Sequence, residues 1–150
     1  MEEYAVSRIF PQARERVYAL VADIETYPQF VPGYKSVRVR KHGPDRLRVT
    51  QTVSILGLET TFDSSARLEP PHALVVEASP RGFRTMHIEW RFESLGAKGT
   101  RIDVRIRYEA AGRWVSRFSR PWVKAFIEMQ IRAFRARAEA SEPGAFRARR

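Results

Sequence analysis

The side chains best suited to acid–base or metal chemistry are three histidines, His42, His72 and His87, and two carboxylates within strand-like runs, Asp63 and Glu89. Their placement argues against both uses. His42 falls in a turn, His72 follows two prolines, and His87 takes the polar side of its strand, so no metal-ligand spacing results. Asp63 and Glu89 fall on outward faces, where pairing with arginine is expected rather than proton transfer. The chain has no cysteine, which removes thiol catalysis, disulfides and cysteine-held metals together. It also lacks a Gly-x-Ser-x-Gly elbow and a phosphate-cradling glycine loop. No catalytic residue, metal ligand or cofactor is assigned on these grounds. A cyclisation that needs only a shaped pocket and one or two polar groups stays open.

Recognition chemistry is better represented. Gln51, Thr60 and Ser64 stand on faces that are otherwise apolar. Burying such groups costs free energy unless each finds a partner. That partner is either an ordered water or the carbonyl of a bound molecule. Around them the spacing turns large apolar side chains inward. The candidate ligand-binding set is therefore Tyr27, Phe30, Gln51, Thr60, Phe62, Met86, Trp90, Tyr108, Trp122, Phe126 and Met129. Plain core packing is the competing explanation for each aromatic taken singly.

The elements that hold these residues follow from periodicity. Tyr4 to Phe10 reads as a strand, and Pro11 ends it. Ala13 to Val21 is helical, with Val17, Leu20 and Val21 on one stripe. Asp23 is placed to cap a second helix from Ile24 to Phe30, made short or irregular by Pro28. From Tyr34 the period becomes two. Val37 and Val39 alternate with arginines, as do Leu47, Val49, Gln51, Val53 and Ile55 with polar neighbours. Gly57 reverses the chain into a strand with Leu58, Thr60, Phe62, Ser64, Ala66 and Leu68 on one face. Leu74 to Ser79, the Met86 to Phe92 run and the Ile102 to Tyr108 run complete the set. Val115, Phe118, Trp122, Ala125, Phe126, Met129, Ala133 and Phe134 then recur at helical spacing, with Pro121 expected to kink or split that helix.

The predicted fold class is α+β. A seven-stranded antiparallel sheet wraps a long C-terminal helix, with two short helices between strands one and two. One helix cannot fill the width of seven strands, so a cavity between them is expected. The domain is placed at residues 1–140. Residues 141–150, with Arg147, Arg149 and Arg150, are expected to form a disordered basic tail.

The hydrophobic fraction of 43% is enough for a core, which argues against disorder. The formal charge of +10 suits anionic partners, either phospholipid head groups or RNA, though a solvated arginine-rich surface would read the same way. Between Arg113 and Arg137 the one acid is Glu128, and Trp114 and Phe118 lie among the bases, as at a lipid interface. Outward strand positions Arg38, Arg40, Arg46, Arg48, Arg105 and Arg107 suit phosphates equally. No signal-peptide pattern and no apolar run of membrane-spanning length is present. A cytoplasmic location is expected, with any membrane contact peripheral and at the inner face.

Three stretches carry a resemblance to a known family. They are Val21-Ala22-Asp23-Ile24-Glu25-Thr26-Tyr27-Pro28-Gln29-Phe30-Val31-Pro32, then Phe62 to Pro71, then Trp90-Arg91-Phe92-Glu93-Ser94-Leu95-Gly96, echoed by Arg132 to Ala138. Together they resemble the START-like (Bet v 1-like, SRPBCC) superfamily and, within it, the coenzyme Q-binding Coq10/RatA family. Its Tyr-Pro-x-Phe-x-Pro motif is the most specific element, and the likeness spans roughly Tyr4 to Ala138. Gly33-Tyr34 departs from the Trp-Cys pair often found next in that family. The resemblance implies a helix-grip fold and non-catalytic carriage of ubiquinone, menaquinone or another isoprenoid lipid. Access would run past the Tyr27–Pro32 loop and the Pro80–Phe83 turn. It leaves two other functions open, binding to the 50S ribosomal subunit and polyketide aromatisation or cyclisation.

Overall fold

A computed structural model of the protein describes residues 1–140; the segment expected as a basic tail, 141–150, lies outside the described residues. The alternating stretches form seven strands: β1 (Glu2–Phe10), β2 (Tyr34–Lys41), β3 (Arg46–Ile55), β4 (Leu58–Glu69), β5 (Ala73–Ala78), β6 (Phe83–Ser94) and β7 (Thr100–Ala110). They make one antiparallel sheet in the order β1-β7-β6-β5-β4-β3-β2. Helix α1 (Arg14–Ala22), a 3-10 turn (Ile24–Thr26) and the single-turn α2 (Tyr27–Phe30) join β1 to β2, and α3 (Arg113–Ala140) closes the chain. This is the helix-grip arrangement read from the sequence.

The period-two pattern explains the sheet. In β3, Val49, Gln51, Val53 and Ile55 are buried while Arg46 and Arg48 are exposed. In β7, Ile102, Val104, Ile106 and Tyr108 are buried against the same core. Helix α3 covers that face with Trp122, Val123, Phe126, Ile127, Ile131 and Phe134, all buried. Burying each such side chain is worth about 1.5–3 kcal/mol, far more than helix propensity contributes per residue. Packing therefore holds α3 in place. Gly99 closes the β6–β7 connection against the end of β1. Its φ is +104°, and a Cβ there would sit 2.0 Å from the Phe10 carbonyl oxygen, so only glycine fits.

Several local expectations need correction. Pro121 neither splits α3 nor ends it. The carbonyl it leaves without a donor belongs to Arg117, on an exposed turn where water can satisfy it. Phe118 does not join the core stripe. It is exposed and Val115 only half-buried, because a groove separates this side of the first turns of α3 from Leu58–Thr60 of β4. The Asp23 side chain caps nothing; instead Thr26 Oγ1 donates to the Asp23 carbonyl at 2.8 Å. Strand β5 starts at Ala73 and stops at Ala78, one residue earlier than expected at each end. Glu89 pairs with Arg91 at 3.1 Å, but Asp63 accepts from Thr50 Oγ1 at 2.6 Å rather than from an arginine.

Candidate functional site

The interior is fuller than a single helix against seven strands suggests. Tyr27, Tyr34, Phe83, Trp90, Trp122, Phe126 and Phe134 pack edge-to-face, tilted or stacked along the helix–sheet seam, with ring centroids 5.2–6.2 Å apart. What remains enclosed is a cavity of about 40 Å³. That is room for a water molecule or one ligand oxygen and not for a ring.

The cavity wall is unusual for a core because much of it is polar. Ser64 Oγ donates to Gln51 Oε1 at 3.1 Å, across the β3–β4 pair. Gln130 Nε2 donates to the Tyr34 hydroxyl at 2.9 Å. All four residues line the cavity, together with Tyr27, Trp90 and Phe126. The Tyr27 hydroxyl is engaged elsewhere, donating to the Val21 carbonyl. Burial pushes the Tyr34 phenol well above the ordinary tyrosine range, and the Gln130 hydrogen bond pulls it back only in part. Burial also raises Tyr27, with nearby Tyr34 and Asp23 adding to the rise. Both phenols stay protonated at neutral pH. Tyr34 accepts from Gln130 and so keeps its own proton to give. The cavity thus offers a neutral donor set for one oxygen acceptor.

Next to this cavity lies an open groove of about 460 Å³. Its sides are Leu58–Thr60 of β4, Arg81–Phe83 at the start of β6, and the first turns of α3 from Trp114 to Trp122. The lining is mainly apolar and the volume suits a small organic molecule. The two spaces share a partition. Trp122 lines the groove, Phe126 lines the cavity, and their rings stack 5.2 Å apart at 19°. Phe83 braces Trp122 from the groove side at 5.6 Å and packs on Tyr108 at 5.8 Å.

The candidate residues read from the sequence are distributed as follows. Tyr27, Gln51, Trp90 and Phe126 line the inner cavity. Thr60 and Trp122 line the groove. Phe30 and Met129 meet at a separate surface depression with Pro32 and Arg132. Met86 is buried beside a polar hollow on the outer face of the sheet. Phe62 and Tyr108 are core residues that line none of these spaces. The Pro80–Phe83 turn does border the groove. The Tyr27–Pro32 segment does not; it packs against the C-terminal half of α3 through Tyr27–Phe134 and Phe30–Phe134 ring contacts. Gly33 follows it because the backbone passes the Ser54 carbonyl, where a Cβ would stand at 2.8 Å with φ at +90°.

Sequence reasoning missed Gln130 and Tyr34 as site residues. The signal for Gln130 was present: a lone amide on the apolar stripe of α3, one turn after Phe126 and one before Phe134. Among the described residues no group of three or more His, Cys, Asp or Glu side chains is arranged to hold a metal.

Comparison with known proteins agrees with this architecture. Residues 11–135 match the family model described as polyketide cyclase/dehydrase and lipid transport. The ribosome association toxin RatA of Escherichia coli is 24% identical over 139 residues, 93% of this chain and 88% of that protein. The mitochondrial coenzyme Q-binding protein coq10 of Schizosaccharomyces pombe is 29% identical over 119 residues, 75% of this chain and 72% of that protein. Among solved structures, the Zhui aromatase/cyclase from a Streptomyces species superposes with a TM-score of 0.87 at 16% identity, covering 93% of this chain and 94% of that one. At that identity the likeness speaks for the fold alone. With the family model spanning most of its length, the chain belongs to the polyketide cyclase/dehydrase and lipid transport family.

Proposed function

We propose that the protein binds an apolar small molecule that carries a carbonyl oxygen, and that its ligand is an isoprenoid quinone, ubiquinone or menaquinone, held without chemical change. The observation that carries this reading is the shared partition. One stacked pair, Trp122 and Phe126, stands between an apolar groove and a cavity furnished with neutral hydrogen-bond donors. A prenyl chain in the groove gains about 25 cal/mol for each Å² of apolar area removed from water, before ordering costs. Its quinone oxygen accepts from Tyr34 once the stack swings aside. Binding is therefore an induced fit, with the pocket opened by the ligand rather than waiting empty. The coenzyme Q-binding name of the fission yeast relative and the lipid transport in the family description support this ligand class. The protein acts in the cytoplasm and exchanges its ligand at the inner face of a membrane.

A second reading, ribosome association, is favoured by one observation. Arg40 stands directly opposite Arg48 across β2 and β3, with Arg38, Arg46 and Arg67 around them. Opposed like charges are destabilising in a sheet, and an RNA phosphate backbone would relieve them. The RatA relatives point the same way. The two readings use different faces of the molecule.

The test is native mass spectrometry of protein purified from a quinone-producing host, with solvent extraction of anything bound. A stoichiometric quinone or prenyl lipid is expected. A protein that arrives empty and takes up no added quinone contradicts the proposal. Salt-sensitive co-sedimentation with 50S subunits would then favour the ribosome reading.

A further inference from the structure

The groove's rim carries apolar side chains that the fold does not need. Leu56 is 67% exposed, Leu58 63%, Trp114 74% and Phe118 65%. Leu56 and Leu58 flank the tip of the β3–β4 hairpin, while Trp114 and Phe118 lie one turn apart on α3 across the groove from Leu58. Four large exposed apolar residues at one end of a small domain make a patch of the kind that marks an interaction site.

Leu56 is the most telling of them. It occupies the first position of a two-residue turn, with φ at +53°, followed by Gly57 at +80°. That geometry favours Asn, Asp or Gly at the first position, and leucine adopts it at a cost. Local stability would be served better by a polar residue, both for the backbone and for contact with water.

The charges beside the patch are mostly basic. Arg113 and Arg117 lie next to Trp114 and Phe118 on α3, and Arg81 borders the groove. None of the three arginines makes an ion pair among the described residues. Of the nearby acids, Glu59 on the rim is engaged by Lys35 at 3.3 Å, and Glu2 accepts from Ser116 and Ser119 at 3.5 and 3.4 Å. A protein partner would have to bury these arginines against acids of its own. A bilayer of anionic lipid accepts the apolar tips between its head groups and leaves the guanidinium groups at phosphate level.

We infer that this end of the molecule is a membrane-docking surface: Leu56, Leu58, Trp114 and Phe118 enter the interface of an anionic bilayer, and Arg81, Arg113 and Arg117 hold its head groups. The mouth of the groove then faces the acyl layer, so a prenyl chain passes between membrane and groove without crossing water. This role for the groove rests on the ligand proposed above; the docking itself rests on the rim alone. No helix among the described residues is long and apolar enough to cross a membrane, so the contact is shallow.

The test is flotation of the full chain with phosphatidylcholine vesicles, with and without about one third phosphatidylglycerol. Binding to the anionic vesicles, weakened by salt, is expected, with little to the neutral ones. Leu56→Asn lowers the partition coefficient several-fold while thermal stability stays level or rises, because the turn now suits its residue. Arg113→Glu with Arg117→Glu lowers it by about fivefold or more for each arginine. Trp114 fluorescence shifts to the blue on binding. No binding to anionic vesicles, or binding that both variants leave unchanged, overturns the docking surface. Uptake of a short-chain ubiquinone in vesicle-free buffer is measured alongside. Uptake without vesicle binding removes the docking surface and spares the ligand proposal, and the reverse result does the opposite.

Discussion

Replacing Gln130 and Tyr34 singly and together separates what the cavity's polar groups do for stability from what they do for binding. Gln130 Nε2 donates to the Tyr34 hydroxyl at 2.9 Å, and the two residues are 5% and 6% exposed. Gln130→Leu leaves the phenol buried without that donor, and Tyr34→Phe leaves the amide without its acceptor. Each single change should cost about 1–3 kcal/mol, the penalty for an orphaned buried polar group. In Tyr34→Phe with Gln130→Leu neither orphan remains and the amide's volume becomes apolar. The double variant is expected within about 1 kcal/mol of the parent, or above it. The coupling energy, the two single losses summed less the loss in the double variant, is then about 2–6 kcal/mol, read from urea unfolding of the four proteins. For a domain of this size that separates the single and double variants by several degrees in Tm. Quinone affinity should fall in all three variants, including the stable one. If the double variant loses as much stability as the two singles summed, the pair is uncoupled and the cavity is not the site described here. If the double variant binds quinone as the parent does, the polar groups have no part in recognition.

Three further outcomes follow from other parts of the molecule. Trp122→Ala removes the groove side of the partition; it should cost about 3–5 kcal/mol in unfolding experiments and speed the uptake of a short-chain quinone in stopped-flow fluorescence. Gly99→Ala forces a Cβ to within 2.0 Å of the Phe10 carbonyl, so a loss of more than about 3 kcal/mol is expected by denaturant titration, with β1 detaching first in hydrogen exchange. Burial raises the phenols of Tyr27 and Tyr34 above 10.0, so the folded state holds protons that the unfolded chain releases. Their contribution is complete below about pH 10 and declines above it by up to about 1.4 kcal/mol per pH unit for each tyrosine, which unfolding curves across the alkaline range would display.

The sheet was legible in the sequence because side-chain period two is a strong signal when one face is buried. Runs such as Leu47 to Ile55 and Ile102 to Tyr108 could be placed on their faces without a structure. The long helix was legible for the same reason, at period 3.6. Volumes were not. Whether seven strands and one helix enclose a large cavity depends on rotamers, and here Trp90, Trp122, Phe126 and Phe134 turn into the seam and fill it. The groove was not legible because it lies between the first turns of α3 and Leu58–Thr60 of β4, and no local pattern marks where an amphipathic helix stands off its sheet. Phe118 shows the consequence: it fits the apolar spacing and is exposed. Gln51 and Ser64 were readable as inward polar residues, but their mutual hydrogen bond depends on the register Val49↔Ser64 and Gln51↔Phe62, which pairing alone decides.

The central claim is that the groove beside the Trp122–Phe126 stack takes up an apolar ligand, and its most direct test is a titration of short-chain ubiquinone followed by tryptophan fluorescence. The parent protein is compared with Thr60→Trp, which fills the groove from the half-buried Thr60 position on β4 without touching the polar cavity. The account predicts saturable one-to-one quenching in the parent and an affinity at least about tenfold weaker in the variant, a difference of about 1.4 kcal/mol. Equal affinity in the two proteins, or no saturable binding in the parent, would contradict it.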